Sequence, residues 1–386
     1  MEWRVRKIIF LEFNELSPAL LDRWMNEGKL PNFRRFHAQS QVFTGVADMP
    51  ARPDLEPWIQ WYSLHTGLSY RQHGVYHLTD GPRAGHVDIW HHLLDHGYRV
   101  GNCAGMNAPG FAAPGSFYLP DPWCNTEAPY PPELGAYQKV VLGLVQENSN
   151  QAEAPGPADY LALARFLATH GLSVHSVAAG LHQLLTELRE RRGGWRRAAL
   201  LDKLQFDIFQ HYWNRLRPDF ASFFVNSTAH FQHAYFHLLE PDRFDLPPDM
   251  MDDPAHRDAI LFGYQKMDRL LGQFFRLEQR HDLLLVLATA LSQEADPEVA
   301  YLYYRPRRIE DLLARLGIEA TTILPVMAQQ YSLSFADAEA ADRAEARFAG
   351  LTLDGRRVLD VSRTDALTLF IGCGLHGPIP QEATLS

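Results

Sequence analysis

Three cysteines in 386 residues, at 103, 124 and 373, are too few and too scattered for a disulfide framework, and no CxxC pair offers a thiolate zinc site. A reducing cytoplasm is the compartment expected for such a chain. Long apolar runs are also missing: no stretch approaches the roughly 18 residues a membrane span requires. The apolar core of the opening WRVRKIIFLEF is shorter than a signal-peptide core with its cleavage site. Basic excess is missing too, since 36 Lys and Arg against 46 Asp and Glu leave a net charge of -10. The nearest thing to a basic run, RERRGGWRR (Arg189 to Arg197), reads as a helix end followed by a Gly-Gly break. A nucleic-acid partner is therefore not expected, because neutralising phosphates needs a basic face. Internal repeats and low-complexity segments are absent.

What is present is a 46% hydrophobic composition, enough to bury the core of one large α/β domain with insertions, or of two domains. RKIIFLEFNELSP predicts a buried strand from Lys7 to Phe13 that ends in polar residues, then a helix over about Ser17 to Glu27. LEPWIQWYSLHTG reads as a loop entering a helix ended by Gly67. DIWHHLLDHGYRVGNCAG is a helix, a Gly turn and a strand, whereas MNAPGFAAPGSFYLPDPWC reads as a long irregular loop or lid. Residues 132–217 are almost wholly helical in pattern and read as an insertion or cap. The α/β rhythm returns with the strand DFASFFVNS, the long amphipathic helix RDAILFGYQKMDRLLGQFFRLEQ and the strand HDLLLVLATALSQ. The expected division is thus 1–131 and 218–386 as two parts of one α/β core, with 132–217 inserted.

FFVNSTAHFQHAYFH carries histidines at 230, 233 and 237, which a helix would stack along one face. That is ligand spacing, and equally the spacing of an ordinary histidine-rich helix.

The order of segments resembles the alkaline phosphatase superfamily, and within it the type I phosphodiesterase/nucleotide pyrophosphatase branch. LPNFRRF is similar to a "Pn..rL" segment of that branch. WIQWYSLHTGLSYRQHGVYH is similar to its "W.s..TG.....HG" signature through Trp61, Ser63, Thr66, Gly67, His73 and Gly74. STAHFQHAYFH has the shape of its "tD...qH" segment, and GLHG resembles its late Gly-x-His at His376. The resemblance implies a three-layer α/β sandwich with a mainly parallel sheet, and a site where Asn14, Glu56, residues 229–233 and His376 converge at one sheet edge. It also implies a phosphoryl or sulfuryl ester, or a phosphodiester, as the small-molecule or glycan-linked substrate.

Several positions depart from the family's pattern. Asn14 stands where the family has a metal-binding Asp, Ala229 where it has a second, and ATALSQ where it has an Asp-His pair. No Ser or Thr lies between Pro53 and Gln60, where the nucleophile belongs. The expectation is therefore one divalent ion, zinc, held by His230, His233 and His376, with Glu56 as ligand, general base or nucleophile, or else simply as a helix cap. Asn14 is expected to hydrogen bond a substrate oxygen or to serve as a turn residue. Asn107, Asp121 and Trp123, with Gln293, are the expected substrate contacts, the first three alternatively forming a rigid connector. Glu12, a carboxylate in a buried strand on the face of Asn14, needs a partner. His65 and His92 read as ordinary surface or helix histidines. A catalytically degenerate binding protein on the same pocket, or a group transferase, is the competing reading.

Overall fold

A computed structural model of the chain describes residues 6–49, 55–78, 80–124, 126–147, 155–190, 192–244, 246, 248–296, 304, 306, 308–325, 330–375, 379–380 and 383. Two compact units emerge, one comprising residues 1–140 with 156–295, the other 141–155 with 296–386.

The strands of the first unit are β1 (Lys7–Phe13), β2 (Val100–Cys103), β3 (Phe117–Leu119), β4 (Phe220–Val225) and β5 (Leu283–Ala288), joined in the order β3-β2-β4-β1-β5 with every pairing parallel. Its helices are α1 (Pro18–Asn26), α2 (Pro31–Gln39), α3 (Pro57–Thr66), α4 (Tyr70–His73), α5 (Ile89–Asp95), α6 (Gly135–Glu147, running on into the second unit), α7 (Pro157–Thr169), α8 (Val174–Arg189), α9 (Arg197–Leu216), α10 (Ser227–Leu239), α11 (Pro248–Met251) and α12 (Ala259–His281). A parallel sheet needs crossover helices and is buried on both faces, which explains why β2, β3 and β4 are fully buried and mostly apolar or small; Asn102 of β2, a polar exception, accepts from Gly105 N at 2.8 Å.

Alternation along the central strands sends side chains to two helical layers. Phe223 packs on Phe206 and Phe209 of α9 and on Phe274 of α12, while the next residue, Phe224, meets Trp61 of α3 from the other side. In β1, Phe13 packs edge-on against Phe33 of α2, whereas Glu12 faces α3. Each large side chain buried here contributes roughly 1.5–3 kcal/mol. Close helix packing depends on Gly263 of α12, where a Cβ would come within 2.5 Å of the Phe231 ring of α10.

The Pro/Gly-rich stretch after β2 differs from its sequence reading. It holds a strand, β3, whose three residues are all buried. Phe117-Tyr118-Leu119 has the aromatic and apolar character a sheet interior favours, and the turn residues around it masked that signal.

In the second unit, β6 (Thr322–Pro325), β7 (Tyr331–Ser334), β10 (Leu359–Asp365) and β11 (Thr368–Cys373) form an antiparallel sheet in the order β10-β11-β7-β6, and β8 (Thr352–Leu353) pairs with β9 (Arg356–Arg357). Helices α13 (Ile309–Arg315) and α14 (Ala338–Gly350) supply Ile309, Leu313, Ala344 and Phe348 to its core with Tyr331, Leu333 and Leu369. No helix among the described residues is long and apolar enough to cross a membrane.

Candidate functional site

Because the five strands among the described residues of the first unit run parallel, their carboxyl ends share one edge, the usual place for ligands in an α/β sheet. In-register pairing of Phe13 with Val225 puts Asn14 beside Asn226, and Asn14 N donates to Val225 O at 3.1 Å. The Asn14 amide is then fully engaged. Its Nδ2 donates to Asn226 Oδ1 (2.7 Å) and Glu15 Oε1 (3.2 Å), and its Oδ1 accepts from Trp61 Nε1 (2.7 Å). Asn14 thus positions its neighbours.

Glu15 is the residue the sequence reading passed over. It has φ 56°, a left-handed conformation that costs a non-glycine residue roughly 1–2 kcal/mol. The surroundings hold it there: Gln232 Nε2 donates to Glu15 O at 2.7 Å, Tyr264 OH donates to Gln232 Oε1 at 2.8 Å, and Ser17 N donates to Tyr264 OH at 2.7 Å. Strain locked in place by such a network is a mark of functional sites. Its result is that the Glu15 side chain, 5% accessible, presents Oε2 to His233 Nε2 at 2.9 Å. The available signal was a carboxylate one residue beyond Asn14 at the end of a buried strand.

His233 sits on α10 at the rim of this edge, its side chain 61% accessible. Burial acts to lower its pKa, but with so much of the ring open that penalty is outweighed by the Glu15 hydrogen bond and by the charges of Glu15 and Glu56, and the imidazole is raised. Gln293 Nε2 approaches the other ring nitrogen, Nδ1, at 3.3 Å. His230, also exposed, is lowered by burial and by the charge of His233. His237 lies further along α10 and is buried. Glu56 occupies the N-cap of α3, as the helix-cap reading expects, with no side-chain capping hydrogen bond, so a carboxylate stands at the positive end of the helix. Its charge also acts on His233.

Beneath this rim, α3 places Trp61 and His65 one turn apart against Asn14, the residue that follows β1, and Glu12 within β1. His65 is 3% exposed, and its Nε2 lies 3.2 Å from Glu12 Oε1, supplying the partner that Glu12 required. Trp61 and Trp90 flank the imidazole. His65 lies on a helix, as one half of its sequence reading has it, but the surface half is corrected: it is buried against a partner 53 residues away, which no local pattern reveals.

The expected loop contacts are organised inward. Asp121 accepts from Asn107 N, Trp123 N and Cys124 N at 2.9–3.0 Å, and burial pushes its carboxyl up to about 6 against the pull of those bonds. Asn107, at φ 60°, accepts from Gly81 N through Oδ1 at 2.8 Å, where any Cβ on Gly81 would clash. Trp123 packs edge-on against Phe224. The hydrogen bonds of Asn107 and Asp121 and the packing of Trp123 are compatible with the connector alternative. The signature around Trp61 is likewise architectural: Gly67 and Gly74 end α3 and α4 at φ 69° and 64°, and Ser63 Oγ bonds His73 Nε2 at 2.9 Å. Ser227, a hydroxyl at the start of α10, donates to Asp202 of α9.

The expected metal set is not assembled by what is described. No three His, Cys, Asp or Glu among the described residues are grouped to hold an ion, and both ring nitrogens of His233 have protein partners. His376 lies outside the described residues.

No family model matches this chain, and no curated protein matches it.

Proposed function

We propose that the chain is a divergent hydrolase of alkaline phosphatase-like α/β architecture, acting on a phosphoryl or sulfuryl ester at the carboxyl edge of its parallel sheet. The observation that carries the reading is the buried Glu15 carboxylate bonded to Nε2 of the solvent-open His233. A carboxylate holding one imidazole nitrogen leaves the other to exchange protons, the division of labour of an acid–base pair. With Nε2–H donated to Glu15, the Nδ1 lone pair takes a proton from a water that displaces the Gln293 amide; the water oxygen bonds the phosphorus or sulfur as the ester bond to the alcohol oxygen breaks, and the imidazolium, stabilised by Glu15 and Glu56, returns the proton to the departing alcohol.

Charge narrows the substrate. Two carboxylates face one imidazole, a poor environment for a dianionic monoester and a more tolerant one for a monoanionic diester. Assays with bis(4-nitrophenyl) phosphate, 4-nitrophenyl phosphate and 4-nitrophenyl sulfate test this. The diester should turn over fastest, and His233→Ala should lower kcat by about 10²–10⁴-fold. Inactivity on all three with saturable binding of the diester would favour the binding-protein reading. A monoester rate that exceeds the diester rate and survives His233→Ala would overturn the proposal.

A further inference from the structure

Helix α8 is built inside out. Its inward stripe, Ser176, Gln183 and Glu187, is polar, and it is fastened by Gln183 Nε2 to Gly193 O (2.9 Å) and by Arg197 Nε to Glu187 Oε1 (2.7 Å). Its outward stripe is Val174, Val177, Leu181, Leu184, Leu185 and Leu188, between 45% and 83% exposed. The six fall within an arc of ~100°, the width of a face that globular helices normally bury.

We infer that this stripe is a two-fold interface on which α8 pairs antiparallel with α8 of a second copy of this chain. The stripe is self-complementary about Leu181. Reversing the helix sets Leu181 against itself, Val174 against Leu188, Val177 against Leu185, and bulky Leu184 against the exposed small Ala178. An isologous contact needs such a palindrome, in which each residue meets the mate of its own mate. The spacing 174, 177, 181, 184, 188 is also the three-four alternation of a helix-on-helix seam, and antiparallel dipoles attract. Exposed fractions of this size amount to roughly 600 Å² a side, approaching the ~800 Å² of a standard interface and at the upper end for a bare patch on a monomer. A lipid surface fits less well. The stripe has no Trp or Phe, the helix no Lys and only Arg189 at its end, and the chain carries -10 net charge.

The full chain should sediment at twice its 44.0 kDa mass at micromolar concentration. Leu181→Glu puts two carboxylates together on the axis and should give the monomer, with unchanged far-UV circular dichroism because Leu181 is exposed in the single chain. Leu181→Cys should form a covalent dimer on mild oxidation. Val174→Cys should cross-link only when mixed with Leu188→Cys, a result that a parallel pairing cannot give. The native cysteines are buried and do not interfere. A monomeric wild type, a dimer that persists in Leu181→Glu, or self-cross-linking of Val174→Cys would overturn the inference. So would a monomer that floats with phosphatidylcholine vesicles through Leu181, which would give the stripe to a membrane surface.

Discussion

Glu12 Oε1 lies 3.2 Å from His65 Nε2, and neither side chain is more than 1% accessible. Glu12 Oε2 and His65 Nδ1 meet no hydrogen-bond partner among the described residues, so the pair depends on this single contact. Removing one member of such a pair strands the other in low dielectric. Glu12→Ala and His65→Ala should each lower unfolding free energy by about 3–5 kcal/mol. Glu12→Gln, which keeps an acceptor for the imidazole, should cost about 1–2 kcal/mol. Urea denaturation decides it, and a Glu12→Ala loss under about 0.5 kcal/mol would mean that the contact is not formed.

The Glu15–His233 bond should be visible as a titration. His233 is raised in the folded protein, so it contributes stability that is complete below the ordinary histidine value of about 6.5 and is lost as pH rises through the folded value. Glu15→Gln should bring its NMR-detected midpoint down, and Glu56→Gln should do so by less, since Glu56 acts only through charge. An unmoved midpoint in Glu15→Gln would remove Glu15 from the site.

Asp121 works in the opposite chemical class with the same sign. Its folded value is raised to about 6, so its contribution is complete below about 4 and is lost as pH climbs to 6, a change of about 3 kcal/mol. Asp121→Asn should flatten the pH dependence of stability across that window relative to wild type. Thermal melts at successive pH values measure this, and parallel curves for the two proteins would show that the carboxyl is not held neutral by burial.

Metal content separates two accounts of His233. Protein purified without a histidine tag should carry well under one equivalent of zinc, because His233 is committed to Glu15 and Gln293. One full equivalent by elemental analysis, lost in both His233→Ala and His376→Ala, would restore the three-histidine set.

Much of the scaffold was legible locally. The limits of β1, the Gly67 end of α3 and the start of α10 follow from apolar runs, caps and turn residues within a few positions of each other. The resemblance also implied that Asn14, Glu56 and residues 229–233 share one sheet edge. It could not assign their partners. Glu15 meets His233 only because β1 and β4 pair in a particular register and Gln232 and Tyr264 hold the left-handed turn. His65 is buried because α3 turns that face toward Glu12. The same limit applies to α8: its helical pattern is legible in the sequence, while only its packing on α9 shows that the apolar stripe points outward. Periodicity fixes which residues share a face, since that follows from backbone geometry. Which face turns inward depends on contacts between segments far apart in the chain, and only the folded structure makes that choice.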